Sequence, residues 1–249
     1  MSQQFVERFE SLSKISAVRH LFIRRIPGID VAHDKAEALK RLDKIHREIR
    51  DQIGMGSWPL LTAEQIHGDR IAIACRAVAS RRRVDKLGTS RCDAPSRSNI
   101  NGRRGAPSPP DEEFAGCDAI ITNQRHVALG IYVADCCAVY VVDPKTPAIG
   151  LVHSGKKGTE RAIVSKAIEQ MHQKFGSQSV DLLVQLSPCI RPPHYEIDFA
   201  AKIIEQCRSS GVRQVDDCGI CTACDLDRYY SYRAEKGKTG RMLALLGLL

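Results

Sequence analysis

Three residues of metal-ligating type stand in separate parts of this sequence: His67 in "EQIHGD", Cys136 in "ADCC" and His153 in "LVHSG". Catalytic zinc sites usually take three protein ligands from His, Cys or carboxylates and leave the fourth position to water or substrate. Two neutral imidazoles and one thiolate around a divalent ion leave a single net positive charge, which can polarise water or orient an anion. The residues alone also permit another reading, in which Cys136 and Cys137 are small buried strand residues and His153 is a hydrogen-bonded histidine. On a regular strand Cys136 shares a face with Ala134 and Ala138, while Cys137 joins Asp135 and Val139 on the other. Only one thiol can face a given site, and spacing does not say which.

Two further motifs carry chemistry-bearing residues. In "HSGKKGTE", glycines between a strand and a helix would expose backbone N–H groups to an anion, with Lys156 and Lys157 supplying charge. The loop matches neither the Walker pattern nor the dinucleotide glycine fingerprint, and a tight turn with two solvated lysines is the plainer reading. In "CGICTACD", Cys218, Cys221 and Cys224 have C-x2-C-x2-C spacing, as in structural zinc and iron–sulfur motifs. No further Cys or His follows to supply a fourth ligand, which favours reduced structural thiols. A zinc nucleobase deaminase would want H-x-E followed by P-C-x-x-C, and neither His67 nor His153 has a Glu two residues on.

The elements that must position these residues follow from periodicity. Apolar residues at Ala36, Leu39, Leu42, Ile45, Ile49 and Ile53 mark an amphipathic helix from Asp34 to Ile53. "HLFIRR", "RIAIA", "CDAIIT", "VALGIYVADCCAVYVVD", "AIGLVHS" and "VDLLVQLSPCI" read as strands, with a turn at Asp143-Pro144. Thr159 to Phe175 is a second helix, with Gly176 just past its end. Strand, glycine-rich turn, helix, strand is a βαβ-like order, and the fold class is mixed α/β.

Composition agrees. The 249 residues include 43% apolar but only 5% aromatic residues, so the core is aliphatic. The net charge of +8 is concentrated in the segment from Arg76 to Pro110, rich in Arg, Ser, Gly, Asn and Pro, which reads as a solvated, mobile insertion at about 76–113. Clustered arginines would suit phosphates, but no aromatic residues interleave for base stacking, so nucleic acid is not the expected partner. The first residues have no apolar core of a secretory leader and no segment approaches a membrane span, so the expected location is the cytoplasm. Ten cysteines there are thiols or metal ligands rather than disulfides.

With these residues in hand, the sequence resembles the polyphenol-oxidase, or laccase-domain (YfiH-like), family. "HLFIRR" resembles its early HGFFTR-like strand and "QIHGDRI" its Q-x-H-G segment. "ADCCAV" and "HSGKKGT" resemble its T-D-C-x-P and H-A-G-W-R-G motifs, and "CDAIIT" the strand that leads to them. "SPCIRPPHYEI" is similar to G-P-x-I-x-x-x-x-Y-E-V, and "CTACDLDRYYSYRAEKGKTGRM" to C-T-x-C-x-x-D-x-F-F-S-Y-R-R with a terminal T-G-R. The motifs occur in the family's order across most of the chain. The resemblance implies a single α/β domain of mixed sheets with helices in layers. It implies zinc on His67, Cys136 and His153, with Cys137 in a packing position. The activity it implies is phosphorolysis of adenosine, inosine or methylthioadenosine to free base and ribose 1-phosphate, with deamination of adenosine as a companion reaction.

On that footing Lys157 and Arg25 are the candidate phosphate contacts. Asp135, beside the thiolate, either orients a ligand from behind or is a hydrogen-bonded strand-end residue. The family's G-G-x-S is replaced by "RIPGIDVAHD", and its loop Trp-Arg by Lys156-Lys157, which keeps charge but loses a planar bidentate fork. Metal binding should survive these departures better than substrate preference. Three other functions compete. A copper phenol oxidase could use the same two His and one Cys, although eight histidines without an H-x-H pair do not supply a multicopper cluster. A zinc amidase or hydrolase would act without phosphate, and a metal-binding relative could have lost catalysis. The partners expected are nucleoside and phosphate, with the chain a monomer or homodimer.

Overall fold

The computed structural model describes residues 2–74 and 114–249; the basic segment expected at about 76–113 lies outside them. Two mixed sheets carry the structure. The first contains β1 (Val6–Glu7), β2 (Val18–Ile23), β3 (Leu60–Thr62), β6 (Ala128–Val133) and β11 (Met242–Leu248), in the order β1-β2-β11-β6-β3. The second contains β4 (Arg70–Ala74), β5 (Cys117–Thr122), β7 (Cys137–Asp143), β8 (Ala148–Ser154), β9 (Leu183–Leu186) and β10 (Gln214–Asp217), in the order β10-β9-β7-β8-β5-β4.

β5, β7 and β8 are buried along their whole length, as expected when both faces of a sheet are covered and the strand reads as an unbroken apolar run. Their alternation sorts side chains into two cores. Ala138, Tyr140 and Val142 of β7 join Leu21, Leu129 and Leu245 of the first sheet. Val139 and Val141 instead meet Ile163, Ala167 and Met171 of α4 (Ile163–Phe175), together with Phe199, Ile203 and Cys207 of α5 (Phe199–Ser209). The layers are therefore sheet on sheet, with α4 and α5 on the far side of the second sheet. β8 and β9 both run antiparallel to β7, so the passage through α4 is a βαβ crossover, and β9, α5 and β10 form a second one with adjacent parallel strands.

The short helix α1 (Glu10–Ser13) follows β1. The first long helix, α2 (Lys35–Gln52), lies inside the expected span. It starts where it does because Asp34 accepts a hydrogen bond from the Glu37 amide at 3.0 Å. The expected helix from Thr159 to Phe175 is instead two pieces, α3 (Lys156–Glu160) and α4. Ala162 between them adopts φ 55°, a left-handed conformation that ends one helix before the next begins. Side-chain bonds hold the break: the Gln206 side-chain amide, from α5, donates to the Thr159 carbonyl at 2.7 Å, and the Ser154 and Thr159 hydroxyls lie 3.0 Å apart. β2 stops at Ile23, so Arg24 and Arg25 fall beyond the strand. The strand expected from Val180 to Ile190 is confined to β9, because Ser187-Pro188 turns the chain out of the sheet and proline has no N–H for the ladder. Among the described residues no helix is long and apolar enough to cross a membrane.

Candidate metal and substrate site

His67, Cys136 and His153 converge at one end of the second sheet, where β4, β5 and β7 begin and β8 finishes. Register accounts for much of this. Ala138 of β7 faces His153 of β8, which places Cys136, just ahead of β7, past the end of that pair. Ala119 of β5 faces Val152, so Asp118 arrives beside His153 from the other flank. His67 comes in on the turn before β4, with φ 62°. One ligand atom from each of the three residues lies within 4.8 Å of the others, and the two rings meet edge to face at 4.9 Å.

Asp118 organises both histidines. It is fully buried, its Oδ1 accepts from His153 Nδ1 at 2.8 Å, and its two oxygens accept the backbone N–H groups of His67 and Gly68 at 2.9 and 2.6 Å. The nitrogen of His153 left for a metal is therefore Nε2, the carboxylate-backed arrangement in which a ligating imidazole is oriented and made more basic. Burial works to raise the Asp118 carboxyl, but the hydrogen bonds from His153 and Gly68 outweigh it and hold the group below its ordinary range. Burial likewise works against ionisation of the Cys136 thiol. Hydrogen bonds from His153 and His67 overcome it and bring the thiol down to about 6. For His153, burial pulls downward and Asp118 and Cys136 pull upward, and the ring ends at about 9.

The chemistry of this donor set fits a metal: a thiolate-prone sulfur, two imidazoles and a carboxylate behind one of them. Gly155 completes the fit, because a Cβ there would lie 2.4 Å from the Cys136 sulfur. Cys137 points the other way, into the core against the helices, and its sulfur lies 3.7 Å from the Ser187 carbonyl.

The cluster opens into a cavity of about 710 Å³, a size suited to a small organic ligand. Six cations line it, Lys35, Lys156, Lys157, Arg233, Lys236 and Arg241, with Tyr132, Tyr195, Phe199 and Tyr232 among its apolar walls. Glu196 pairs with two of these cations, 3.8 Å from Lys156 and 2.8 Å from Arg233. Lys157 has no ion-pair partner among the described residues. A separate cavity of about 530 Å³ beside Asp69 and Ser210 contains none of the candidate residues.

Arg25, expected at the phosphate, does not line this cavity. Its guanidinium is paired with Glu235 at 2.6 Å, lies over the Tyr230 ring at 4.4 Å and donates to the Tyr229 carbonyl at 3.1 Å. Asp135 does line the cavity, at φ 84°, and both its oxygens are engaged. Oδ1 accepts from the Thr222 hydroxyl at 2.8 Å and Oδ2 from the Arg233 amide at 2.7 Å. The carboxylate that touches a candidate ligand is Asp118, one residue into β5, an acid that the sequence motifs alone do not single out. The chain around Gly155 carries Lys156 and Lys157 to the cavity wall, but α3 is only five residues long.

A family model described as multi-copper polyphenol oxidoreductase laccase matches residues 27–202 and 197–249. A purine nucleoside phosphorylase of Clostridium acetobutylicum is 30% identical over 162 residues, covering 55% of this chain and 69% of its own. The purine nucleoside phosphorylase YlmD of Bacillus subtilis is 27% identical over 53% of this chain, and the match spans 58% of its length. Among solved structures, Bacillus licheniformis YfiH has a TM-score of 0.71 at 18% identity, covering 93% of each chain. Geobacillus stearothermophilus YlmD reaches 0.68 at 18% identity, covering 94% of this chain and 93% of its own. At that identity the structural likeness concerns the fold.

Proposed function

This chain belongs to the multi-copper polyphenol oxidoreductase laccase family, and from that premise we propose that it is a zinc-dependent purine nucleoside phosphorylase. Its substrates on this reading are adenosine, inosine or methylthioadenosine, cleaved with phosphate to free base and sugar phosphate, and the same site deaminates adenosine. The observation that carries the reading is the His67, Cys136 and His153 cluster at the wall of a cation-lined cavity of about 710 Å³. Relatives named purine nucleoside phosphorylase support it.

Zinc held by these three residues supplies fixed positive charge for an anion. Phosphorolysis requires phosphate beside the anomeric carbon of the sugar while the purine leaves, with charge stabilised at both ends. Lys157, free of a carboxylate partner among the described residues, and Arg241 and Lys236 on the opposite loop are the proposed phosphate contacts. Tyr195 and Phe199, edge to face at 5.9 Å, offer apolar ring surface to a base. Asp135 has the role of a brace: tied to Thr222 and Arg233, it holds the turn that presents Cys136.

The deciding assay incubates purified protein of known metal content with adenosine and inosine, with and without phosphate, in air and anaerobically. Free base that appears only with phosphate, and persists without oxygen, supports the reading. Phosphate-independent cleavage would indicate a hydrolase, and strict oxygen dependence a copper oxidase. Zinc content undiminished by His67→Ala and Cys136→Ala, relative to the unmutated chain, would remove the site from the proposal.

A further inference from the structure

We propose that His194, Cys221 and Cys224 form a second metal site, separate from the His67 cluster, that takes a thiophilic divalent ion such as zinc. One ligand atom from each lies within 4.8 Å of the others. The His194 Nδ1 atom is 3.4 Å from the Cys224 sulfur and 3.8 Å from the Cys221 sulfur. With zinc–sulfur bonds of about 2.3 Å and zinc–nitrogen bonds of about 2.0 Å, a tetrahedral ion sets sulfur–nitrogen edges of about 3.5 Å. The two sulfur–nitrogen separations bracket that edge.

The backbone explains why. Cys221 precedes a single 3-10 turn, Thr222–Cys224, closed by the Cys224 amide donating to the Cys221 carbonyl at 3.2 Å. His194 sits on the neighbouring turn, its amide donating to the Arg191 carbonyl at 2.9 Å. The two segments are joined ahead of it, where the Cys189 amide donates to the Ile220 carbonyl and the Thr222 amide to the Cys189 carbonyl, both at 3.2 Å. These bonds hold the ligands together independently of any ion. Cys221 is half-buried and Cys224 and His194 are exposed, so an ion can enter and water can complete its coordination. Two thiolates and an imidazole select a soft or borderline metal over magnesium or calcium. Cys218, the first thiol of the run, stands outside the group, and burial pushes it up to about 12, which keeps it protonated.

The position has a consequence for the first site. Thr222, between the two cysteines, donates to Asp135, which adjoins Cys136. An ion on Cys221 and Cys224 therefore stiffens the support behind the Cys136 turn.

The test uses the full chain carrying Cys136→Ser, reduced under argon and titrated with cobalt(II) as the probe. One equivalent per chain is expected, with the visible bands of tetrahedral cobalt and a near-ultraviolet thiolate-to-cobalt band that zinc displaces. Adding Cys221→Ser and Cys224→Ser abolishes both signals. His194→Gln, an exposed change that leaves both thiols and the circular dichroism intact, weakens cobalt binding by about tenfold or more. In the chain with Cys136 present, the same His194→Gln change lowers tightly bound zinc by one equivalent. The proposal is overturned by absence of thiolate-to-cobalt absorption in the Cys136→Ser chain, by its persistence in the triple variant, or by thiol counting that finds Cys221 and Cys224 joined as a disulfide that resists reduction.

Discussion

Oδ1 of Asp118 receives Nδ1 of His153 at 2.8 Å and the backbone N–H of His67 at 2.9 Å. One buried carboxylate on β5 therefore orients one candidate ligand through its ring and the other through its backbone. Asp118→Asn keeps the shape but removes the charge that makes His153 a strong donor. Zinc affinity is expected to fall roughly 10- to 100-fold, read by competition against a chromogenic chelator. Unchanged affinity in a folded variant would rule out this role.

Gly155 has φ −108° and ψ −162°, a conformation open to any residue, so its constraint is purely steric. In Gly155→Ala the new methyl would stand 2.4 Å from the Cys136 sulfur. Displacing that sulfur or the strand end costs about 1–3 kcal/mol. The variant should melt earlier and bind less zinc, whereas Gly176→Ala, where no atom lies within 4 Å and φ is 77°, should lower stability without touching the metal.

Lys157 and Arg25 should separate by assay. Lys157→Ala is expected to raise KM for phosphate up to about tenfold, roughly 1.4 kcal/mol of binding, with little change in melting temperature. Arg25→Ala breaks the pair with Glu235 and the stacking on Tyr230, and should lower stability by about 2 kcal/mol while phosphate KM stays put. The reverse pattern would return Arg25 to the phosphate site.

His20 and His46 make the fold sensitive to acid. Burial lowers both, with the charge of Arg8 adding to the effect at His20, and each is brought to about 4. Between pH 6.5 and 4 the unfolded chain binds protons that the folded chain refuses, so stability is full above 6.5 and falls as pH drops. The loss approaches about 3 kcal/mol per histidine at pH 4, measurable by urea melts across that range. Neither ring nitrogen of His46 has a hydrogen-bond partner among the described residues, and the ring stacks on Tyr132 at 6.0 Å. His46→Phe should flatten the acid slope and add about 1–2 kcal/mol at neutral pH. A slope as steep as before would place the sensitivity elsewhere.

Local chemistry made much of the fold readable. The runs of β5, β7 and β8 announce strands covered on both faces, Asp34 marks the start of α2, and Gly176 marks the end of α4 with a left-handed turn. Each of those signals is contained in neighbouring residues. The residue types at His67, Cys136 and His153 likewise mark them as candidate ligands, and the structure brings those candidates together.

What sequence order withheld were relations between distant segments. Which of two adjacent thiols faces the cavity depends on the left-handed turn at Asp135 and the register of β7 on β8. That Asp118 stands behind His153 follows from the pairing of Ala119 with Val152, and the removal of Arg25 from the cavity from a partner 210 positions away at Glu235. His194 precedes Cys221, so a search downstream of the cysteines could not meet it. Periodicity, caps and ligand types are properties of contiguous residues and are set by the sequence itself. Register and loop docking come from burying the sheets against each other and against the helices, and those long-range contacts exist only in the tertiary structure.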